Sequence, residues 1–256
     1  QLNTINIKSV KFTWTTSFNI SIPNNKLISY PNIESSPYAN SYTVGQSLYT
    51  KKYFHFLGID PKTGLSNFQD YNNNGSGINY PADLQYLVKK AQNFYGGFQN
   101  SFSYDGFQLD IFFQFVNQTG SSFINSQEFG IPGGETNQPV EVLGRWQKPG
   151  DQASYQKFST GSGTGFPVYL NYLFGAVYGS NSVTDASFVR LKNVSLTYSV
   201  PQSILKKLKI SALSFYLQGQ NLFTITSYVG LDPENNQSTS VLPALRIITG
   251  GLKLIL

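Results

Sequence analysis

The chain has 256 residues, no cysteine and a net charge of +5, and only 12% of its residues are charged while 15% are aromatic. The absence of cysteine excludes disulfides, thiolate metal sites and cysteine nucleophiles. Basic residues are dispersed except at Lys206, Lys207 and Lys209, so nucleic-acid binding is not expected, whereas an anionic membrane surface is a compatible partner. No apolar run reaches 18 residues, so no transmembrane helix is predicted.

Seven stretches alternate between apolar and polar residues with a period of two. In residues 107–116, for example, one face carries Phe113 and other apolar side chains while the other carries polar ones such as Gln114. Successive side chains of a strand point to opposite faces, so each stretch predicts a strand with one apolar face. The predicted strands are residues 2–10, 12–22, 95–104, 107–116, 186–200, 213–224 and 246–256.

The connections alternate between short and long along the chain. Short ones precede residue 12, follow Tyr104 as the hairpin turn Asp105-Gly106, and cover residues 201–212. Long ones, rich in Asn, Ser, Tyr and Gly, cover residues 24–94, 119–185 and 225–245. The first long loop is expected to hold a strand extension at 48–58 and a short helix at 83–91. All long loops then fall at one end, which favours a barrel over a sandwich.

These elements predict an all-β protein, an antiparallel transmembrane β-barrel with long extracellular loops. Single-chain bacterial barrels use even numbers of strands from eight upward, so seven strands indicate part of a larger barrel. The large plugged transporters have 22 strands, and this chain is expected to supply roughly the last seven.

Several segments resemble the C-terminal part of SusC/RagA-type TonB-dependent transporters of Bacteroidota outer membranes. The segments that match the family's pattern are FVRLKNVSLTY at 188–198, GQNLFT at 219–224 and YVGLDPE at 228–234. Further matches are residues 12–27, GIDPKTG at 58–64, residues 95–115, GRWQKPGD at 144–151 and the closing residues 243–256. The resemblance covers nearly the whole chain in order.

The resemblance implies a 22-stranded barrel with an N-terminal plug and a TonB-interacting segment, in the outer membrane of a Gram-negative cell. Such proteins import large nutrients, oligosaccharides or peptides, under a SusD-like surface lipoprotein. Residues 1–256 would be the C-terminal part of a single barrel domain, with the plug and the TonB-interacting segment outside this sequence. Two alternatives stay open: a non-transporting SusC-like scaffold subunit, and a secreted all-β carbohydrate-binding or adhesin module.

One loop segment resembles a calcium-binding loop. Its candidate ligands have oxygen atoms at alternate positions, as hard cations require. They are Asp70, Asn72, Asn74, Ser76 and Asp83. The closing Glu of such a loop is replaced by Pro81, and Asn and Asp also stabilise turns through their own backbone. A metal-free turn is therefore the preferred interpretation, and no other cofactor is expected.

Arg145 and Trp146 are candidate substrate contacts, because a guanidinium binds carboxylates and an indole stacks on a sugar ring. The alternative is that Trp146 packs and pins the long loop. Arg190 and Lys192 share their alternation phase with Leu196, so they face lipid unless a bulge near Asn193 turns them to the lumen. No Ser/His/Asp set or paired carboxylates converge, so no enzymatic activity is expected.

Overall fold

The computed structural model describes residues 1–125, 132–236 and 241–255. Parts of the second and third predicted long loops therefore lie outside the described residues, as does Leu256 at the end of the last predicted strand. In these ranges the chain forms strands and two short α-helices. The strands are β1 (Leu2–Lys8), β2 (Phe12–Ser21), β3 (Thr50–Tyr53), β4 (Phe56–Ile59), β5 (Ser66–Phe68), β6 (Tyr86–Lys89), β7 (Gln92–Tyr104), β8 (Phe107–Ser121), β9 (Val183–Asp185), β10 (Phe188–Ser199), β11 (Ala212–Thr226) and β12 (Ile247–Ile255). The helices are α1 (Phe166–Tyr178) and α2 (Gln202–Leu208).

The main sheet is a row of seven antiparallel strands in the order β1-β2-β7-β8-β10-β11-β12. β9 pairs with the end of β8, beside this row. Each strand therefore lies next to the following long strand of the chain. All seven predicted strands are confirmed, although β8 runs to Ser121 and β7 already begins at Gln92. The row is open, with β1 and β12 at its edges.

The predicted sorting of connections is also confirmed. Asp105 and Gly106 form the hairpin turn with φ values of 42° and 86°, the left-handed pair that a two-residue hairpin requires. This turn, the turn between β1 and β2, and the connection through α2 lie at one end of the antiparallel row. The three long loops lie at the other end. We call them, in chain order, the first, second and third outer loops, which connect β2 to β7, β8 to β10 and β11 to β12.

The two faces of the sheet differ in chemistry. Phe113 of β8 lies opposite Phe98 of β7 and Leu191 of β10 on the apolar face. Large side chains on this face are open to solvent, for example Leu217 at 54% and Leu252 at 62% exposed. The other face carries side chains with amide and hydroxyl groups, among them Gln114 of β8. A broad exposed apolar face on an antiparallel sheet marks contact with a partner or with lipid.

Two predictions for the first outer loop are wrong. The predicted helix at 83–91 is instead a turn followed by β6, which pairs with β3 in a two-stranded sheet. Tyr86 and Val88 each pair with a residue of β3. This pairing overrides the weak helical preference of the stretch, since aromatic and β-branched residues suit a pleated surface. Residues 48–58 do not extend the main sheet either, because β3 and β4 belong to two separate small sheets.

Both helices lie in connections. α1 is in the second outer loop, and α2 forms most of the connection predicted at 201–212, ending where Lys209 adopts a left-handed conformation with φ 55°. Within the described ranges, neither helix is long and apolar enough to cross a membrane.

Candidate functional site: the packed outer loops

The first and second outer loops share a small apolar core. Phe54, Phe68 and Leu84 from the first loop are at most 5% exposed. Phe174 of α1 packs edge-on against Phe54, with ring centroids 6.3 Å apart. Two loops that are far apart in sequence therefore form one folded layer over the end of the sheet.

Hydrogen bonds join the same two loops. The Phe54 N–H donates to the Tyr178 carbonyl, and the Ser180 N–H donates to the Phe54 carbonyl, both at 2.8 Å. The side-chain amide of Asn171 in α1 accepts from the Ser66 N–H at 2.9 Å and donates to the Ser66 carbonyl at 3.1 Å. This pairing satisfies the backbone of β5 and fixes α1 on the first loop.

Trp146 joins the segment GRWQKPGD at 144–151 to the segment GIDPKTG at 58–64. Its indole N–H donates to the Pro61 carbonyl at 2.9 Å, and the Gly150 N–H donates to the Pro61 carbonyl as well, at 2.8 Å. Gly64, at φ +71°, lies against the indole so closely that an added Cβ would come within 2.4 Å of it. The contacts of Trp146 are thus those of a residue that pins one loop to another.

Arg145 lies beside this contact but uses its side chain differently. Its guanidinium carbon is 3.6 Å from the centroid of the Phe158 ring, a cation–π arrangement. The side chain is half-buried. The role of Arg145 and Trp146 as substrate contacts stays a prediction.

The predicted calcium loop forms a chain of turns. Asp70 accepts from the N–H groups of Asn74 at 3.3 Å and Gly75 at 2.8 Å. The Asn72 side chain accepts from Asn74 at 3.1 Å, and the Asn74 side chain accepts from the Ser76 N–H at 3.0 Å. Side-chain oxygens that bond their own backbone in this way shape a turn without an ion.

Asp83 does not lie free at the end of that loop. It is fully buried and accepts from the N–H groups of Tyr71 at 2.7 Å, Asn72 at 3.2 Å and Asn79 at 3.0 Å. Backbone donors compensate the buried carboxylate. In the part of the chain that the structure describes, no three His, Asp or Glu side chains are grouped so that they could hold a metal ion. The choice between a metal-free turn, which the sequence favours, and a calcium loop stays a prediction.

Arg190 anchors the third outer loop to the sheet. Its guanidinium forms ion pairs of 2.6 Å with Asp232 and 2.6 Å with Glu234, and its Nε donates to the Thr224 hydroxyl at 2.9 Å. The side chains of Arg190 and Asp232 are each 3% exposed. Lys192 adds a longer ion pair to Glu234 at 3.4 Å.

A register shift explains why Arg190 lies on the polar face. The pairing of β10 with both neighbours shifts between Leu191 and Asn193, so Arg190 lies opposite Gln114 and Thr224. Of the two alternatives for Arg190 and Lys192, the structure therefore supports the bulge. The sequence analysis missed Asp232 and Glu234 as their partners, although these acids stand in the resembling motif YVGLDPE.

A separate cavity of about 530 Å³ lies between the β3–β6 ribbon and the outer end of β7. Three of its lining residues are lysines: Lys51, Lys89 and Lys90. Burial, together with the like charge of Lys51, lowers the pKa of Lys90. The sequence analysis did not identify this cavity, because Lys51 and Lys89 come together only through the pairing of β3 with β6.

Two other titratable groups of the outer loops differ from their usual pKa. Burial, with the nearby Tyr155, raises the pKa of Tyr172 in α1 to about 12. The Thr63 hydroxyl and the Lys62 N–H donate to Asp60 and lower the pKa of that carboxyl. Both shifts follow from the local packing and hydrogen bonding of the outer loops. In the described ranges these loops present a folded, polar and partly basic surface.

Comparisons with known proteins give a consistent result. No family model matches the chain. "TonB-dependent receptor P3" of Formosa agariphila is 26% identical over 261 residues, which covers 92% of this chain and 24% of that protein. "TonB-dependent receptor P39" of the same organism is 25% identical over 280 residues, covering 89% and 26%. The chain thus spans about a quarter of the length of the curated relatives it matches.

Solved structures show the same fold. The RagAB peptide importer in its "open-open" state matches 99% of this chain and 28% of the matched chain, with a TM-score of 0.78 and 22% identity. In the "closed-closed" state the TM-score is 0.75 over 98% of this chain. The predicted outer-membrane location agrees with these relatives and is confirmed. Over nearly its whole length, the chain is thus similar to one part of TonB-dependent receptors, as its motifs predicted.

Proposed function

We propose that this chain is the wall and outer-loop portion of a TonB-dependent transporter that imports large nutrients across the outer membrane. Residues 1–256 form part of a single barrel domain, which closes to 22 strands with the rest of the polypeptide. The observation that carries the proposal is the row of seven antiparallel strands whose apolar face is exposed. Exposure of that face to water is unfavourable, whereas in a bilayer the face contacts acyl chains.

The partners follow from the arrangement of the two ends of the sheet. The packed outer loops form the surface on which a SusD-like lipoprotein closes, and the apolar face contacts outer-membrane lipid. Energy comes from TonB through a plug and a TonB-interacting segment elsewhere in the polypeptide. Strand walls and loops of this kind require no enzymatic step. The RagAB structures describe a peptide importer, and the import cargo proposed for this chain is an oligosaccharide or a peptide.

The test compares cells with and without the full-length protein. Uptake of fluorescently labelled oligosaccharide and peptide mixtures is measured, with and without a protonophore that abolishes the inner-membrane force. Import predicts that deletion of the protein and addition of the protonophore each abolish uptake of the same fraction. Uptake that persists unchanged in the deletion strain would contradict the proposal.

The same cells separate the two alternatives. A scaffold subunit predicts unchanged uptake and loss of a co-purifying outer-membrane complex on deletion. A secreted binding or adhesin module predicts that the protein is recovered in the medium without detergent. Recovery in the membrane fraction together with energy-dependent uptake excludes both.

A further inference from the structure

The lysine cavity is a concave site with a single sign of charge. Its lysines are Lys51, Lys89 and Lys90, and no acidic side chain lines it. Lys89 and Lys90 are half-buried. In the described ranges every salt bridge involves Arg190 or Lys192, so none of these three lysines is paired with a carboxylate. Only Lys90 has a side-chain partner there, the Ser121 hydroxyl.

Neighbouring ammonium groups without counter-charges repel one another, and burial strengthens that repulsion. The lowered pKa of Lys90 reflects this environment. Lys51 and Lys90 lie on one face of the β3–β6 ribbon, together with Tyr49, while the pairing of Lys89 with Thr50 places Lys89 on the other face. An anion between Lys51 and Lys90 removes their repulsion and gains charge-assisted hydrogen bonds from both ammonium groups. The cavity is therefore built to receive a negatively charged group.

The other lining residues indicate what carries that group. Tyr49 and Tyr95 are 56% and 41% exposed, and each offers a ring face and a hydroxyl. Asn25 and Gln92 offer amides that both donate and accept hydrogen bonds, as sugar hydroxyls do. A peptide of mixed sequence carries cations as well as anions, which lysines repel. An acidic oligosaccharide carries one sign of charge, and a cavity of about 530 Å³ holds a few sugar units.

The position of the cavity suits a transported substrate. It lies at the outer end of β7, and Tyr95 projects from the polar face, where it lies opposite Ser21 and Val116. If the sheet is the wall of an importer, this is the mouth of its lumen. The inference thus rests on the proposed function for its biological role, but not for the binding itself.

We infer that the lysine cavity, through Lys51 and Lys90, binds the carboxylate groups of an acidic oligosaccharide, with Tyr49 and Tyr95 against the sugar rings.

The experiment measures binding to the purified full-length protein in detergent by calorimetry. The probes are hexamers of β-1,4-linked glucuronic acid, of α-1,4-linked galacturonic acid and of β-1,4-linked mannuronic acid. The uncharged β-1,4-linked glucose hexamer and hexaglutamate are the comparison ligands. The variant replaces Lys51 and Lys90 by Gln. The control variant replaces Lys62 and Lys148 by Gln, which are exposed and lie outside the cavity, and so removes the same charge.

At least one acidic hexasaccharide is expected to bind tenfold or more tightly than the glucose hexamer, and this binding weakens as salt is raised. The cavity variant loses that binding at least tenfold, while the control variant keeps it. Equal binding of charged and uncharged hexamers, or an unaffected cavity variant, overturns the inference. Tighter binding of hexaglutamate overturns the saccharide assignment. Binding without energy-dependent uptake in cells overturns the import function and leaves the inference standing.

Discussion

The sheet and the outer loops of this protein are stabilised by different means. The sheet carries large exposed side chains such as Leu217 and Leu252 on one face and forms its own backbone ladder. The outer loops bury a small apolar core around Phe54 and depend in addition on specific polar contacts, such as Arg190 with Asp232. The sheet is therefore held by backbone pairing between strands that are close in the chain order, whereas the loops are held by side-chain contacts between residues far apart in sequence.

The largest effect is expected from a charge on the apolar face. Leu217→Asp or Phe113→Asp is expected to block barrel assembly, because each removes about 1.5–3 kcal/mol of apolar burial in lipid and adds the cost of a carboxylate there. Fractionation of cells and protease digestion at the cell surface measure the assembled protein. The adjacent Gln218→Asp, on the polar face, is the matched control. Normal surface display of both apolar-face variants would contradict the face assignment.

A smaller effect is expected from breaking the buried ion pair that holds the third outer loop. Asp232→Ala leaves the guanidinium of Arg190 with Glu234 alone, which is 38% exposed, and is expected to destabilise the loop by about 3 kcal/mol. Hydrogen exchange of amides in the described parts of residues 227–245 measures this change. Lys192→Ala removes the exposed pair and is expected to cost about 0–1 kcal/mol. Equal effects of the two variants would show that burial of the pair is unimportant.

The contact between the first two outer loops allows a sharper test at glycine. Gly64→Ala is expected to cost about 2–3 kcal/mol, since it combines a left-handed backbone with a clash against Trp146. Gly75→Ala, at φ +90° with open space around it, pays only the backbone cost of about 1–2 kcal/mol. Thermal unfolding monitored by Trp146 fluorescence in a Trp14→Phe background gives both values. In a Trp146→Ala background, where calorimetry replaces the lost fluorescent reporter, Gly64→Ala is expected to cost less if the clash with Trp146 is the cause.

The sequence predicted the sheet well because its signal is local. Alternation over ten residues, as in β8, follows directly from a sheet with one apolar and one polar face, so no knowledge of the partner strand is needed. Asp105-Gly106 added a turn whose conformation depends on two residues. The prediction left one point open at Lys192, where a bulge determines the face of the sheet on which Arg190 lies. A bulge is an effect of pairing, and alternation alone left both orientations open.

The outer loops were predicted less well because their structure depends on distant residues. Tyr86–Lys89 is a strand because Thr50–Tyr53 lies beside it, and α1 is placed by Asn171 against Ser66, 105 residues away. The lysine cavity arises in the same way, from two segments of the first outer loop. The turns around Asp70, Asn72 and Asn74 could be predicted, since their hydrogen bonds are made within a few residues.

The smallest effect is expected from the titration of a buried tyrosine in α1. The pKa of Tyr172 is raised from 10.0 to about 12, because burial disfavours the phenolate. A folded-state pKa above the unfolded value contributes stability that is complete below pH 10 and is lost as the pH rises from 10 to 12. Tyr172→Phe removes this dependence, so its stability should fall less steeply over that interval than that of the wild type. Chemical denaturation at pH 9 and pH 11 measures the two slopes. Parallel slopes would mean that Tyr172 is no more protected than a tyrosine of the unfolded chain, and that α1 does not seal the layer between the first and second outer loops.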